Sequence, residues 1–178
     1  MYIKEHRMYF FKMKIKGLIL NFILCLFLST ITVAEEKNSG VKFYTGMFDF
    51  SDEGAKSKLF GIQHQNPNLF RNTIFGEVSP ITGAMITADN AVYFYSGIET
   101  NYRIGLINIT PSFTPGYYDQ GDGKDLGNGL EFKSEVQLSM DLGETTNFGM
   151  AYNHVSNASL GDKNPGANSY SFNFLKKF

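Results

Sequence analysis

This chain of 178 residues has one cysteine, no tryptophan and no long apolar run beyond its first 34 residues. The single cysteine, Cys25, has no partner, so no internal disulfide can stabilise the fold. A membrane-spanning helix needs about 20 consecutive apolar residues, and no segment after residue 34 provides them. After residue 34 the chain carries 11 Lys and Arg against 16 Asp and Glu, and this net charge of −5 argues against nucleic acid as a partner.

The N-terminal segment predicts export. Basic residues are concentrated in the first 16 positions, a mostly apolar run follows over 18–33, and Ala34 offers a small residue for cleavage. This order is typical of a secretory signal peptide, which we assign to residues 1–34. The mature chain, residues 35–178, would then have 144 residues and no cysteine, enough for one domain.

The mature chain alternates apolar and polar residues along most of its length, which predicts β-strands. The pattern is cleanest over 130–141, where Phe132, Val136 and Leu138 alternate with charged residues. Clusters of Gly, Asn, Asp and Pro separate such segments and predict turns. We predict eight strands, at 41–50, 56–65, 70–79, 91–99, 101–114, 130–141, 147–156 and 168–178.

Two environments explain this alternation. In a soluble sandwich the apolar face forms the core, whereas in an outer-membrane barrel it meets lipid and the polar face lines the interior. Export, an even strand number and a terminal Phe178 on an aromatic-rich last strand favour the barrel. We therefore predict an all-β fold, an eight-stranded antiparallel transmembrane β-barrel in the outer membrane of a Gram-negative bacterium. We expect Glu131, Lys133 and Glu135 to form a charge network inside it.

The segment around His154 and Ser156 predicts chemistry. In a strand, residues two apart share a face, so the imidazole and the hydroxyl can approach each other. A His–Ser pair is the core of a hydrolytic nucleophile. The pair continues an apolar stripe of Phe148, Met150 and Tyr152. Catalytic groups at the end of an apolar stripe indicate a lipid substrate.

Each role in such a site has a candidate residue. Ser156 is the nucleophile, His154 the base that takes its proton, and Asn168 the group that orients the imidazole. Asn168 shares the face of the apolar residues of the last strand, and its amide can accept the imidazole N–H without adding charge. Asn157, Asn164 and backbone amides of the 158–161 turn can donate to an oxyanion. The alternative is that His154 and Ser156 are only polar residues at a strand end.

These residues resemble the lipid A 3-O-deacylases, the PagL-like outer-membrane enzymes. The resemblance covers about the last third of the mature chain. It implies an eight-stranded barrel with an esterase site on its outer wall, which removes the ester-linked 3-O-acyl chain of lipid A. It also implies Ser156 as nucleophile, His154 as base, and Phe132 as an aromatic lining the acyl groove. The matching residues are His154, Ser156, Asn157, Ala158, Asn164-Pro165-Gly166, Asn168, Leu126-Gly127 and Glu131-Phe132.

The chain departs from the best-known members of that family at Asn168, where they carry glutamate. Outer-membrane phospholipase A, a larger, twelve-stranded, calcium-dependent dimer, uses a Ser–His–Asn triad in a similar segment. We therefore expect a serine esterase acting on lipid A or lipopolysaccharide in the outer-membrane lipid. The alternatives are a phospholipase A-like acyl hydrolase or a non-catalytic structural barrel. We predict no cofactor and no metal, and a homodimer is one possible assembly.

Overall fold

The computed structural model describes residues 39–178 except for 67, 68, 70 and 75. The predicted signal peptide, residues 1–34, therefore lies outside the described residues. The described residues include no helix long and apolar enough to cross a bilayer. The strands are β1 (Gly40–Phe48), β2 (Ser57–Gln65), β3 (Arg71–Thr73), β4 (Gly76–Thr87), β5 (Val92–Thr100), β6 (Tyr102–Ile104), β7 (Ile107–Asp119), β8 (Leu130–Asp141), β9 (Thr146–Ser156) and β10 (Ala167–Lys177).

Eight of these strands form a closed antiparallel barrel. The order β2-β1-β10-β9-β8-β7-β5-β4 is closed by a further pairing between β2 and β4. Within the described part of the chain, the short strand β3 pairs only with β4, and the short strand β6 pairs only with β7. Closure leaves no long edge unpaired among the described strands, which is the condition for spanning a bilayer with strands. The predicted eight-stranded barrel is confirmed.

The third predicted strand, 70–79, is misplaced in the sequence-based assignment. The structure has a short β3 there, and the long strand β4 runs on to Thr87. Pro80 and Gly83 lie inside β4 and interrupt the strand-forming composition on which the assignment depended. Pairing with β5 continues through both residues, and Gly83 also pairs with β2; this support is a tertiary effect.

The fifth predicted strand, 101–114, is also misplaced, since β7 begins at Ile107 and continues to Asp119. Pro115 and Gly116 resemble a turn in the sequence, yet they lie within β7 and pair with β8. Proline cannot donate a backbone hydrogen bond. Accordingly the β5–β7 ladder is interrupted between Tyr95–Gly116 and Ile98–Phe113, whereas the β7–β8 ladder continues past Pro115.

The outer wall of the barrel is apolar. On β9, Phe148, Met150 and Tyr152 are 46%, 52% and 51% exposed, and the residues between them are buried. A belt of exposed apolar side chains around a whole barrel would be unfavourable in water but matches the hydrocarbon of a bilayer. The protein therefore has the surface of an outer-membrane barrel.

The interior is polar and charged. The Glu135 carboxylate pairs with Lys42 at 3.3 Å and with Lys133 at 3.1 Å. Lys133 Nζ also lies 4.2 Å from the centre of the Tyr95 ring, a cation–π contact. The expected interior network is confirmed for Lys133 and Glu135. It is wrong for Glu131, which is fully buried but is absent from the ion pairs of the described residues.

The two ends of the barrel differ. Gly40, where β1 begins, and Lys177, where β10 ends, lie at the same end as the short turn at 142–145 and the connections that contain β3 and β6. In outer-membrane barrels short turns face the periplasm and longer loops face outwards. The opposite, outward end carries the loops at 49–56, 88–91, 120–129 and 157–166.

Candidate active site

The centre of the site is a contact between β9 and β10. Asn168 is the direct cross-strand partner of His154, and Asn168 Oδ1 lies 2.8 Å from His154 Nδ1. The same oxygen accepts a hydrogen bond of 2.9 Å from the Tyr152 hydroxyl. Because an amide oxygen can only accept, the neutral form of this imidazole carries its proton on Nδ1 and keeps the lone pair on Nε2. The imidazole is thus arranged to act as a base through Nε2.

Ser156 lies two residues after His154 on the same outward-facing side of β9. Its partner on β8 is Phe132, and the partner of His154 on β8 is Ser134. The Ser156 hydroxyl makes no hydrogen bond with any other described residue. The structure thus joins His154 to Asn168 directly and places Ser156 beside them without a formed Ser–His hydrogen bond, a geometry that often tightens only when substrate binds.

The turn after Ser156 is held from inside the barrel. Asn157 is fully buried, and its Nδ2 donates to the carbonyl oxygens of Leu126 and Lys163, both at 2.8 Å. Its backbone N–H donates to Asn164 Oδ1 at 3.0 Å. Asn157 and Asn164 therefore come together, and they tie the 157–166 loop to itself and to the 120–129 loop.

The same turn has an uncommon backbone. Ala158 and Ser159 have φ values of 53° and 61°. Non-glycine residues rarely adopt this left-handed region, and two in succession persist only where the surroundings hold them. The contacts of Asn157 and Asn164 provide that support directly beside the proposed nucleophile.

Aromatic rings flank the site on both sides. Phe132 stacks on Phe113 of β7 with ring centres 5.9 Å apart. On the other side, Phe50 packs against Tyr152 at 6.2 Å and against Tyr170 at 5.5 Å. His154 and Ser156 thus lie between two apolar surfaces on the lipid-facing wall.

The first outward loop also reaches the site, which the sequence does not predict. Asp49 is almost fully buried, and its Oδ1 accepts the backbone N–H of Asn168 at 3.2 Å. Ser51 Oγ accepts a hydrogen bond of 3.2 Å from Asn168 Nδ2. These residues are far from Asn168 in the sequence, and nothing local marks them. Tyr152 could have been found, because it shares the face of His154 and lies two residues before it.

Lys124, in the loop at 120–129, joins that loop to the one at 49–56 by pairing with Asp49 and with Asp52. Partial burial acts to lower the pKa of Lys124, but the hydrogen bonds and charges of the two carboxylates outweigh it and raise the pKa. The pKa of Asp52 is lowered by the Gly54 N–H and by Lys124. The loop beside Asn168 is therefore held by charged groups of opposite sign.

The fold and the apolar outer wall define an outer-membrane β-barrel with a His–Asn pair and a serine on its lipid-facing side. The family model described as "Lipid A 3-O-deacylase (PagL)" matches residues 60–177, so the chain belongs to the lipid A 3-O-deacylase family of the outer membrane. No curated protein matches the chain in sequence.

Solved structures agree on the fold. The crystal structure of the outer membrane enzyme PagL is similar at 16% identity and a TM-score of 0.58, covering 78% of this chain and 99% of that one. A de novo designed transmembrane β-barrel is similar at 7% identity and a TM-score of 0.52, covering 83% of this chain and 100% of that one. At such identities the likeness establishes the barrel architecture.

Proposed function

We propose that the protein removes the ester-linked acyl chain at the 3-position of lipid A by a Ser–His–Asn mechanism. The observation that carries the proposal is the 2.8 Å contact between His154 Nδ1 and Asn168 Oδ1, on the same outer face as Ser156. Family membership supports lipid A as the substrate. The site lies at the end of the barrel with the longer loops, next to the outer leaflet where lipid A resides.

The reaction proceeds through an acyl-enzyme. Nε2 of His154 takes the proton of Ser156 Oγ as this oxygen attacks the ester carbonyl carbon. The tetrahedral intermediate collapses, the bond to the sugar oxygen breaks, and the protonated imidazole gives its proton to that oxygen. Water, activated by His154, then attacks the acyl-serine, and the fatty acid leaves with Ser156 regenerated. The proposal needs no metal or cofactor.

Asn168 orients the imidazole and accepts the Nδ1 proton, but it carries no charge. It therefore stabilises the imidazolium less than a carboxylate would. The Tyr152 hydroxyl donates a hydrogen bond to Asn168 Oδ1 and so helps to keep this oxygen in one position.

The oxyanion takes its hydrogen bonds from the turn after Ser156. The Asn157 N–H is already used by Asn164 Oδ1, and the Asn157 side chain faces inwards. The Leu160 N–H is likewise used by the Asn157 carbonyl, at 3.0 Å. The N–H groups of Ala158, Ser159 and Gly161 are therefore the proposed donors, and Asn157 and Asn164 position this turn. Phe132, stacked on Phe113, supplies the apolar surface for the acyl chain.

Mass spectrometry of lipid A from a susceptible Gram-negative host tests the proposal. Expression of the protein should remove one hydroxyacyl chain from lipid A, and Ser156→Ala should abolish the loss. Ser96→Ala, at an exposed position of β5 three strands away from β9, is the matched control and should retain it. Unchanged lipid A with a folded protein in the outer membrane would contradict the proposal.

A parallel assay with phospholipid separates the phospholipase alternative. Release of fatty acid from phospholipid but not from lipid A, above all if it required calcium, would assign the site to a phospholipase A-like enzyme. The closed eight-stranded barrel disfavours this outcome, because the phospholipase family has twelve strands. Hydrolysis of neither substrate would leave a structural barrel.

A further inference from the structure

We propose that Asp49 and Ser51 are positioning residues that orient the Asn168 side-chain amide and thereby select the catalytic tautomer of His154. The inference rests on the proposed function, since it explains how a neutral asparagine can replace a carboxylate in the triad. It assigns a role to the loop at 49–56, which lies before the segment matched by the family model.

A continuous chain of hydrogen bonds connects the loop to the imidazole. Ser51 Oγ donates to Asp49 Oδ1 over 3.4 Å, and Asn168 Nδ2 donates to Ser51 Oγ over 3.2 Å. Asn168 Oδ1 then accepts from His154 Nδ1 at 2.8 Å. This series of hydrogen bonds begins at the Asp49 carboxylate, which only accepts, and ends at the His154 imidazole, which must keep one nitrogen unprotonated to act as a base.

The direction of each hydrogen bond follows from Asp49. Its carboxylate can only accept, so the Ser51 hydroxyl proton points to Asp49 and the Ser51 oxygen is left to accept. Only the NH₂ group of Asn168 can donate to that oxygen, so the amide oxygen must face His154. The imidazole therefore carries its proton on Nδ1, and Nε2 is free to take the Ser156 proton.

The opposite amide orientation would disable the site. Its NH₂ group would face His154 and donate to Nδ1, the proton would move to Nε2, and no base would remain for Ser156. A glutamate at this position avoids the problem, because both of its oxygens accept. The orientation of the asparagine amide must be fixed by another group, and the hydrogen bonds of Ser51 and Asp49 fix it.

The loop is docked firmly enough to act in this way. The Phe50 N–H donates to the Asn168 carbonyl at 2.9 Å, and the Asp49 N–H donates to Ser169 Oγ at 3.3 Å. The other carboxylate oxygen of Asp49 pairs with Lys124. Asp49 thus contacts β10 through its backbone and its side chain, and both contacts lie at the point where Asn168 begins to pair with His154.

The imidazole ¹⁵N signals of His154 test the proposal without any need for activity. The purified protein in detergent micelles, labelled at histidine, is measured at about pH 8, where an ordinary imidazole is neutral. His64→Gln assigns the signals, because His64 is the other histidine after residue 34. We expect the Nδ1–H tautomer in the native protein and a mixture of tautomers in Ser51→Ala. In Asp49→Asn, the side chain at position 49 can donate a hydrogen bond to Ser51 as well as accept one. This variant should therefore also show a mixture of His154 tautomers.

Kinetics on the same variants supply the second readout. Ser51→Ala should lower kcat about tenfold with little change in KM, equivalent to about one hydrogen bond. Ser51→Thr retains the hydroxyl, and this variant should have a kcat close to that of the native protein. In the Asn168→Glu background, the effect of Ser51→Ala should shrink to less than about twofold, because a carboxylate has no amide to orient. Glu53→Gln is the matched control, because Glu53 lies in the same loop and, of the residues that the structure describes, pairs only with Lys56 at the surface.

The outcomes separate this inference from the proposed function. A native Nδ1–H tautomer that persists in folded Ser51→Ala and Asp49→Asn would overturn the inference even if the enzyme hydrolyses lipid A. A tautomer shift in a protein that hydrolyses neither lipid A nor phospholipid would support the positioning role and reject the proposed function.

Discussion

Gly166 lies against the edge of the His154 ring: a Cβ built on this glycine would be 2.7 Å from Cε1 and 3.2 Å from Nε2. Gly166 also has a φ of 62°, a conformation that favours glycine. The glycine therefore allows the chain to turn into β10 and leaves space for the imidazole at the same time.

Gly166→Ala should displace the His154 ring and lower kcat at least about tenfold, since a misplaced catalytic group is costly. Gly105→Ala is the control, because Gly105 has the same φ of 62° but nothing within 4 Å of a built Cβ. Both variants should lose about 1 kcal/mol of stability from the backbone conformation, measured by urea unfolding. An equal loss of kcat in both would assign the effect to the backbone alone.

Asn168→Glu should raise kcat about tenfold, because a carboxylate stabilises the imidazolium that forms during catalysis. Asn168→Ala should lower kcat by at least about a hundredfold, since the imidazole then loses its orienting partner. Steady-state hydrolysis of lipid A in detergent micelles measures both. A lower rate in a folded Asn168→Glu variant would show that the site is adapted to the neutral amide.

Tyr152→Phe removes the hydroxyl that donates to Asn168 Oδ1 and keeps the ring that packs against Phe50. We expect kcat to fall about threefold to tenfold, the range of one hydrogen bond. Tyr170→Phe is the matched control, because Tyr170 also contacts Phe50 but makes no side-chain hydrogen bond with the described residues. If the two variants behave alike, the Tyr152 hydroxyl has no part in positioning Asn168.

Asn157→Ala should loosen the turn after Ser156, because the carbonyls of Leu126 and Lys163 lose their donor. The cost to stability should be about 1–3 kcal/mol. We also expect faster amide hydrogen exchange throughout 157–166 and a fall in kcat. Native exchange in this loop together with a lost activity would instead indicate that Asn157 acts on the substrate directly.

Glu135→Gln should destabilise the barrel strongly, because the buried Lys42 and Lys133 would both lose the carboxylate that pairs with them directly. The expected loss in the free energy of unfolding is about 3–5 kcal/mol. Arg103→Gln breaks the exposed ion pair with Asp141 and should cost less than about 1 kcal/mol. Urea unfolding in micelles compares the two. Equal effects would mean that water enters the barrel and screens the interior pair.

The sequence alone predicts the part of this protein that depends on local periodicity. Strand side chains alternate, so the composition of β8, β9 and β10 was enough to predict an apolar outer wall, a polar interior and a shared face for His154 and Ser156. The same parity placed Asn168 on that face. The alternation is weakest where Pro80 and Gly83 interrupt β4 and where Pro115 and Gly116 interrupt β7, and there the predicted strands were misplaced.

Only the tertiary structure determined which residues of different strands and loops lie next to each other. The register of β9 against β10 sets Asn168 directly beside His154, and no local pattern specifies a register across a ten-residue loop. The same holds for Asp49 and Ser51, which are 119 and 117 residues from Asn168 in the chain. The closing of the barrel brings β1 next to β10 and carries the first loop to the site. A strand's faces follow from its own residues, whereas its neighbours follow only from the closure of the whole sheet.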